Sequence, residues 1–265
     1  MDLDLQVYND IYRLIKYKKK LIILGLRQKT RRDQPTVVLE ERKTSHKDKI
    51  RSIIKKPKEK FLTKHQEEYW KVLEDNQITL CFGPAGVGKS YIAMKKAVDL
   101  LWDDTNKYEK IIIVRPAVEA EEKLGSLPGG LEEKLDPYIY PSYYLLNKII
   151  GKDAREALKD SGYIEVAALA YMRGWNVDNT ILVFEEAQNA TPAQIKLLLT
   201  RIGFNSKFFL SGDLEQSDKF KDKTKTGLYD AKKRLEGVRG IGVFEFGNED
   251  IVRNPIIGEI LQRYD

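Results

Sequence analysis

The chain of 265 residues has a single cysteine, Cys81, and two histidines, His46 and His65. One cysteine excludes a disulfide framework and suits a reducing compartment. Three such residues in all leave almost no material for a Cys/His zinc site. There is no run of 18 apolar residues, so no membrane span and no membrane partner are expected. The opening MDLDLQVYND carries acids and no apolar centre, which does not read as a secretory leader. No internal repeat or low-complexity tract is visible. A cytoplasmic protein is expected, and its compact length is compatible with a phage-encoded one acting in the host cytoplasm.

Charge is plentiful but uneven. The net +6 hides a division: residues 1–60 carry 18 Lys and Arg against 8 Asp and Glu, and the remaining 205 carry 28 against 32. The basic runs are KYKKK (16–20), RQKTRR (27–32) and KKPKEK (55–60). A basic stretch attached to a slightly acidic body points to a polyanion, nucleic acid being the commonest. Apolar pieces at 21–24 and 37–39 leave open whether residues 1–60 are a solvated arm or a small subdomain. Pro57 and its lysines mark a boundary near residue 60, with a body at 61–265.

The densest signal is CFGPAGVGKSY at 81–91. Its Gly83, Gly88, Lys89 and Ser90 complete the pattern G-x-x-x-x-G-K-[ST]. An apolar run (Ile78, Leu80, Cys81, Phe82) precedes it, and a helix-forming stretch with Ile92, Ala93, Ala97, Leu100 and Leu101 on one face follows. Glycine tolerates φ > 0, so the N–H groups of Gly83, Pro84, Ala85, Gly86, Val87, Gly88, Lys89, Ser90 and Tyr91 (Pro84 excepted) can converge on an anion at a helix N-terminus. Lys89 reaches the β- and γ-phosphates in this pattern, and Ser90 ligates Mg²⁺. ATP and Mg²⁺ are the expected cofactors.

Beyond the loop, strand-like runs at 78–82, 111–114, 163–169, 181–184, 208–210 and 241–246 alternate with helical ones at 64–74, 89–102, 151–160, 191–202 and 227–235. Such alternation predicts an α/β fold: a mainly parallel sheet flanked by helices on both faces. Thr191 with Gln194 forms a capping box, Pro192 sits at the first helical position, and Gly203 follows the end.

Phosphate binding alone does not cleave. Hydrolysis also needs a metal clamp and a base at the end of a neighbouring strand. Glu185 and Glu186 follow the buried run Ile181–Phe184, at the carboxyl end where open α/β sheets hold ligands. Glu185 is assigned to the metal shell and Glu186 to the attacking water. A third strand ends in FFLSGDLEQSD, where the Gln216 amide can meet the γ-phosphate or the water.

These stretches together resemble the PhoH-family ATPases, within the P-loop helicases of superfamily 1. The family-like segments are GPAGVGKS, RPAVEAEEKLGSLPGGLEEKLDPY, IEVAALAYMRG, EEAQNATPAQIKLLLTRIG, SGDLEQ and DIVRNP, in family order from about residue 61 to 260. The resemblance implies a RecA-like core, ATP with Mg²⁺, single-stranded RNA or DNA as partner with RNA favoured, and a homo-oligomeric ring, a hexamer by likeness. It implies that Glu186 is the catalytic glutamate of the family's D-E-A-Q, that Gln188 couples nucleotide to nucleic acid, and that Gln216 is the glutamine of G-D-x-x-Q. FLTKHQ resembles a Q-motif, which puts Gln66 on the adenine edge and leaves His65 incidental. Glu185 departs from the usual Asp, and Asn254 from the usual His of V-R-H-P. The N-terminal 60 residues are too short and too basic for the nuclease domain that some members carry.

An arginine meeting the developing charge accelerates phosphoryl transfer. The chain is too short for two RecA-like domains, so a neighbouring subunit is expected to supply it. Arg253 and Arg201 are the candidates, with Arg115 able to serve there or on nucleic acid. Tyr138, Tyr140, Tyr143 and Tyr144, beside the glycine- and proline-rich GSLPGG, are placed in a mobile loop that either stacks on bases or packs a subdomain or interface. Two other outcomes stay open: an ATP-controlled binding switch with slow turnover, and a small-molecule kinase, which the Glu-Glu-Ala-Gln and G-D-x-x-Q elements fit less well.

Overall fold

The computed structural model describes residues 45–103, 105, 108–116, 131–217, 219–220, 222–252 and 263. The chain divides between Lys43 and Thr44. The basic runs at 16–20 and 27–32 and Arg253 lie outside the described residues.

Six strands form one sheet: β1 (Ile78–Phe82), β2 (Lys110–Arg115), β3 (Ile164–Ala168), β4 (Thr180–Phe184), β5 (Lys207–Gly212) and β6 (Ile241–Glu245). Their order is β3-β2-β4-β5-β1-β6, and every pairing is parallel. Around it lie α1 (His46–Ile53), α2 (Lys64–Asp75), α3 (Lys89–Trp102), α4 (Leu131–Ile150), α5 (Lys152–Asp160), α6 (Pro192–Leu199) and α7 (Gly227–Leu235). This is the parallel α/β sheet flanked by helices that the alternation predicts.

The central strands are apolar on both faces because helices cover both. Ile111, Ile113, Ile181 and Val183 face one layer with Ile92, Ala97 and Leu101 of α3. Ile112, Val114, Leu182 and Phe184 face the other, with Ile195 and Leu198 of α6 and Leu228 of α7. Each such fully buried aliphatic chain contributes about 1.5–3 kcal/mol, and alternation across the pleat fixes the register. The α6 cap forms as its sequence predicts: Gln194 N donates to Thr191 Oγ1 at 3.2 Å and Thr191 N to Gln194 Oε1 at 2.8 Å.

Two elements depart from the sequence expectation. Tyr138, Tyr140, Tyr143 and Tyr144, which the sequence places in a mobile loop, stand on the 20-residue helix α4. Pro137 and Pro141 argue against it, each costing about 3 kcal/mol in a helix interior. Burial of Ile139, Tyr143 and Leu146 in the first core layer, at about 1.5–3 kcal/mol each, offsets that. Within the basic stretch, residues 46–53 form α1, whose Ile50 is fully buried in the same layer. Ser45 and Asp48 make a capping box at its start.

Cys81 sits in the middle of β1, fully buried, and burial pushes its thiol up to about 12. A disulfide-exchange reagent is therefore expected to titrate no thiol in the folded chain. One equivalent should appear in denaturant, with the midpoint at which helical circular dichroism is lost. Prompt labelling of native protein would contradict the burial.

Candidate active site

Parallel strands all end on the same edge, and the register decides which ends meet. Cys81 stands opposite Ser211 and Phe82 opposite Gly212, while Phe184 stands opposite Leu210. Since β5 lies between β1 and β4, the loop after Phe82, the turn Gly212–Asp213 and the pair Glu185–Glu186 emerge side by side. A cleft of about 1050 Å³ opens there.

The glycine loop has the conformation its composition requires. Gly83, Gly86 and Gly88 have φ of 142°, 94° and 96°, values that strain any other residue. At Gly83 a Cβ would also lie 2.7 Å from Phe246 Cβ, so the end of β6 closes against the loop. Lys89 Nζ folds back on the loop, donating to the carbonyls of Gly83 at 2.6 Å and Pro84 at 2.8 Å. Val252 N donates to Gly86 O at 3.2 Å, which brings the segment after β6 over the loop's apex.

Gln66 is buried below the loop. Its Nε2 donates to Val87 O at 2.9 Å and its Oε1 accepts from Leu62 N at 3.0 Å. The amide thus ties the loop to the wall formed by Pro57, Lys60 and Leu62. Lys95 Nζ donates to Lys60 O at 2.9 Å and pins the same wall.

Across the cleft the acids are held unequally. Glu186 takes a left-handed backbone, φ 55° and ψ 36°, which turns its side chain into the cleft, half exposed. Gln188 Nε2 donates to Glu186 Oε2 at 2.7 Å, and Arg115 Nη2 lies 3.4 Å from Oε1. Glu185 is 1% exposed and does not line the cleft. Its Oε2 accepts from Ser142 Oγ of α4 and lies 3.5 Å from Arg115 Nε. Arg115 also donates through Nη1 to Tyr138 O at 2.8 Å.

Gln188 joins the strand ends. Buried itself, it accepts from Asp213 N at 3.1 Å and reaches Gln216 O at 3.3 Å with the nitrogen that holds Glu186. Gly212 permits this approach, since a Cβ there would lie 2.6 Å from Gln188 Oε1.

A family model described as PhoH-like protein matches residues 59–265. The chain belongs to the PhoH family. It is 46% identical over 203 residues to a PhoH-like protein of Bacillus subtilis, covering 77% of this chain and 63% of that one. It is 37% identical over 201 residues to Protein PhoH of Escherichia coli, covering 75% and 56%. The chain therefore spans less than two thirds of the length of these relatives. Solved structures overlap it more loosely. The large terminase of a thermophilic bacteriophage gives a TM-score of 0.46 at 11% identity, over 78% of this chain and 51% of that one. A Bacteroides Pif1 bound to ssDNA gives 0.35 at 13%, over 77% and 46%.

In this PhoH-family chain, then, Gln66, Lys89, Ser90, Glu186 and Gln216 line one cleft. Arg201 does not. It sits beyond the end of α6, with its side chain donating to Leu197 O and Trp175 O. Its own carbonyl accepts from Val177 N, just before β4 begins, so it lies at the opposite edge of the sheet. Sequence reasoning misses the Arg115–Ser142 grip on Glu185. Ser142 is an ordinary serine until α4 is known to be a helix packed against β2, β3 and α3.

His65, incidental by sequence, has a structural part. Its Nδ1 lies 2.8 Å from Asp250 Oδ2, joining α2 to the turn after β6. Asp250 raises its pKa, first by that hydrogen bond and then by its charge. A raised folded-state value means that the contact contributes stability below the ordinary value of 6.5 and loses it as pH rises through the raised one. The denaturation midpoints of the parent and His65→Ala should differ most on the acid side of that value and converge well above it. A difference of the same size at acid and alkaline pH would remove the ion pair from the account.

Proposed function

We propose that this PhoH-family chain is an Mg²⁺-dependent ATPase that couples hydrolysis to binding and remodelling of single-stranded nucleic acid, RNA ahead of DNA, as a cytoplasmic ring. The observation that carries the ATPase half is the meeting of the glycine loop, Glu186 and the Gln216 turn on one sheet edge, with Gln188 bonded to all but the loop. The basic N-terminal stretch supports the nucleic-acid half.

The residues fit the cofactors. A loop with three glycines at positive φ, at the start of a 14-residue helix, suits a triphosphate. Oxygen donors of Ser90 and Asp213 line the same cleft, the ligand type magnesium takes. A metal held there would supply positive charge against the phosphates. Lys89 would exchange the Gly83 and Pro84 carbonyls for phosphate oxygens. Leu62 and Gln66 would face the base. Glu186, oriented by Gln188 and Arg115, would take the proton of the attacking water. Gln216, one hydrogen bond from the same amide, would carry the state of the γ-phosphate to that base. Arg201 faces away from its own cleft, so a part in catalysis would require a neighbouring copy's cleft. Arg253, which follows Val252 in the chain, is the other candidate for that role.

One observation favours a second reading, a slow ATP-controlled binding switch. Glu185, which the sequence assigns to the metal shell, is bonded to Ser142 and Arg115. Comparing single-turnover hydrolysis with nucleotide-dependent oligonucleotide binding separates the two.

Steady-state ATP hydrolysis with Mg²⁺ tests the main proposal, with and without single-stranded RNA or DNA and across protein concentrations. Glu186→Gln should lower kcat by about 10²- to 10⁴-fold, the usual contribution of a general base, and Lys89→Ala should remove nucleotide binding. A motor predicts stimulation by one polymer and specific activity that rises with concentration. The absence of hydrolysis under every polymer condition would sink it.

A further inference from the structure

The four tyrosines of α4 do not act as a group. Tyr143 is turned into the core and Tyr138 is half-buried, whereas Tyr140 is 68% and Tyr144 50% exposed. Tyr140, Tyr144 and exposed Lys148 recur every fourth residue, so they form one outward stripe. Lys148 Nζ lies 4.6 Å from the Tyr144 ring centroid, and Lys148 also lines the nucleotide cleft. The helix beneath is held firmly, with Ile139, Ser142 and Leu146 buried on its inner side.

We propose that this stripe is the platform for single-stranded nucleic acid, Tyr140 and Tyr144 stacking on successive bases and Lys148 meeting the phosphate beside them. It rests on the nucleic-acid half of the function proposed above and says where the strand lies. Exposed aromatic rings scattered singly need no explanation, but two rings one turn apart with a cation in line match the elements that bind single strands: stacking faces and positive charge. A docked protein would need a wider apolar centre. Here the stripe continues into lysine, and its neighbours Pro141 and Asn147 are not large hydrophobic residues.

The position also has a consequence for hydrolysis. One helical turn inward from the stripe, Ser142 donates to Glu185 and the Tyr138 carbonyl holds Arg115, which reaches both Glu185 and Glu186. A strand seated on the outer side of α4 therefore bears directly on the helix that positions both acids. Stimulation of ATP hydrolysis by single strands should pass through it.

The test uses the full chain and fluorescein-labelled oligo(U) and oligo(dT) of about twenty nucleotides, slightly longer than the site of a single binding fold. Binding is read by anisotropy, beside ATP hydrolysis with and without polymer. Tyr140→Ala and Tyr144→Ala should each weaken binding by roughly 5- to 150-fold, the range that loss of one stacked base corresponds to. Both variants should keep the parental circular dichroism and polymer-free hydrolysis, because neither ring belongs to the core or to the lining of the cleft. Phenylalanine at either position should restore binding. Binding of the double alanine variant within about twofold of the parent, well short of the loss of even one stacked base, overturns the platform while leaving the ATPase proposal standing. Failure of the parent to bind either oligonucleotide overturns both the platform and the nucleic-acid half. A shift in sedimentation of the double variant in that case would assign the stripe to contact with a second copy. Binding that is lost in the variants of a parent that hydrolyses no ATP keeps the platform and sinks the ATPase.

Discussion

A single buried amide sets the geometry on which the site depends. Gln188 spends its nitrogen on Glu186 and the Gln216 carbonyl and its oxygen on the Asp213 N–H. Asp213 stands 25 residues further along the chain than the amide it meets. The two come together because β5 is inserted between the glycine-loop strand and the strand that ends in the acids, and because Gly212 leaves room for the amide to cross. A buried amide that leaves a partner unmatched costs about 1–3 kcal/mol. The turn after β5 therefore cannot shift without moving Glu186 or breaking that bond. This is the physical basis on which the proposed γ-phosphate sensor and the proposed base can be one device.

The second constraint is the length of the side chain at 185. The family's usual aspartate would draw the carboxylate back by about one C–C bond, roughly 1.5 Å. The glutamate instead reaches Ser142 on α4, and Arg115 closes over it. An uncompensated buried charge is costly, so a carboxylate 1% exposed must keep such partners. The glutamate is thus tied to α4, and in the metal-shell role proposed for it the carboxylate would have to give up Ser142. In the two proposed readings, motor and switch, that exchange is the step that differs.

How much of this can be read from the residues follows from which forces are local. The strands are legible because both faces are covered, so runs such as Ile111–Val114 and Ile181–Phe184 are apolar throughout. The glycine loop is legible because its φ values demand glycine at fixed spacing. Helix α4 is not, since Pro137 and Pro141 speak against it and only tertiary burial of Ile139, Tyr143 and Leu146 outweighs them. Without that helix, Ser142 has no role and the tyrosines have no faces. His65 is opaque for a similar reason: its partner Asp250 stands 185 residues away.

Helix α4 is therefore where the unread part of the sequence and the unread part of the site coincide. Its inner side contributes to the core and to the grip on Glu185, its cleft side carries Leu145, Lys148 and Ile149 to the nucleotide wall, and its outer side offers Tyr140 and Tyr144 to solvent. A helix with three different neighbours can satisfy all three in only a few positions, because packed interiors are bistable rather than continuously deformable. Two prolines within it reduce its intrinsic stability, so its position is decided by those neighbours and not by its own backbone. Nucleotide in the cleft and a strand on the tyrosines would then compete or cooperate through one rigid body. Coupling of that kind is reciprocal: if a single strand raises nucleotide affinity, nucleotide must raise strand affinity by the same factor.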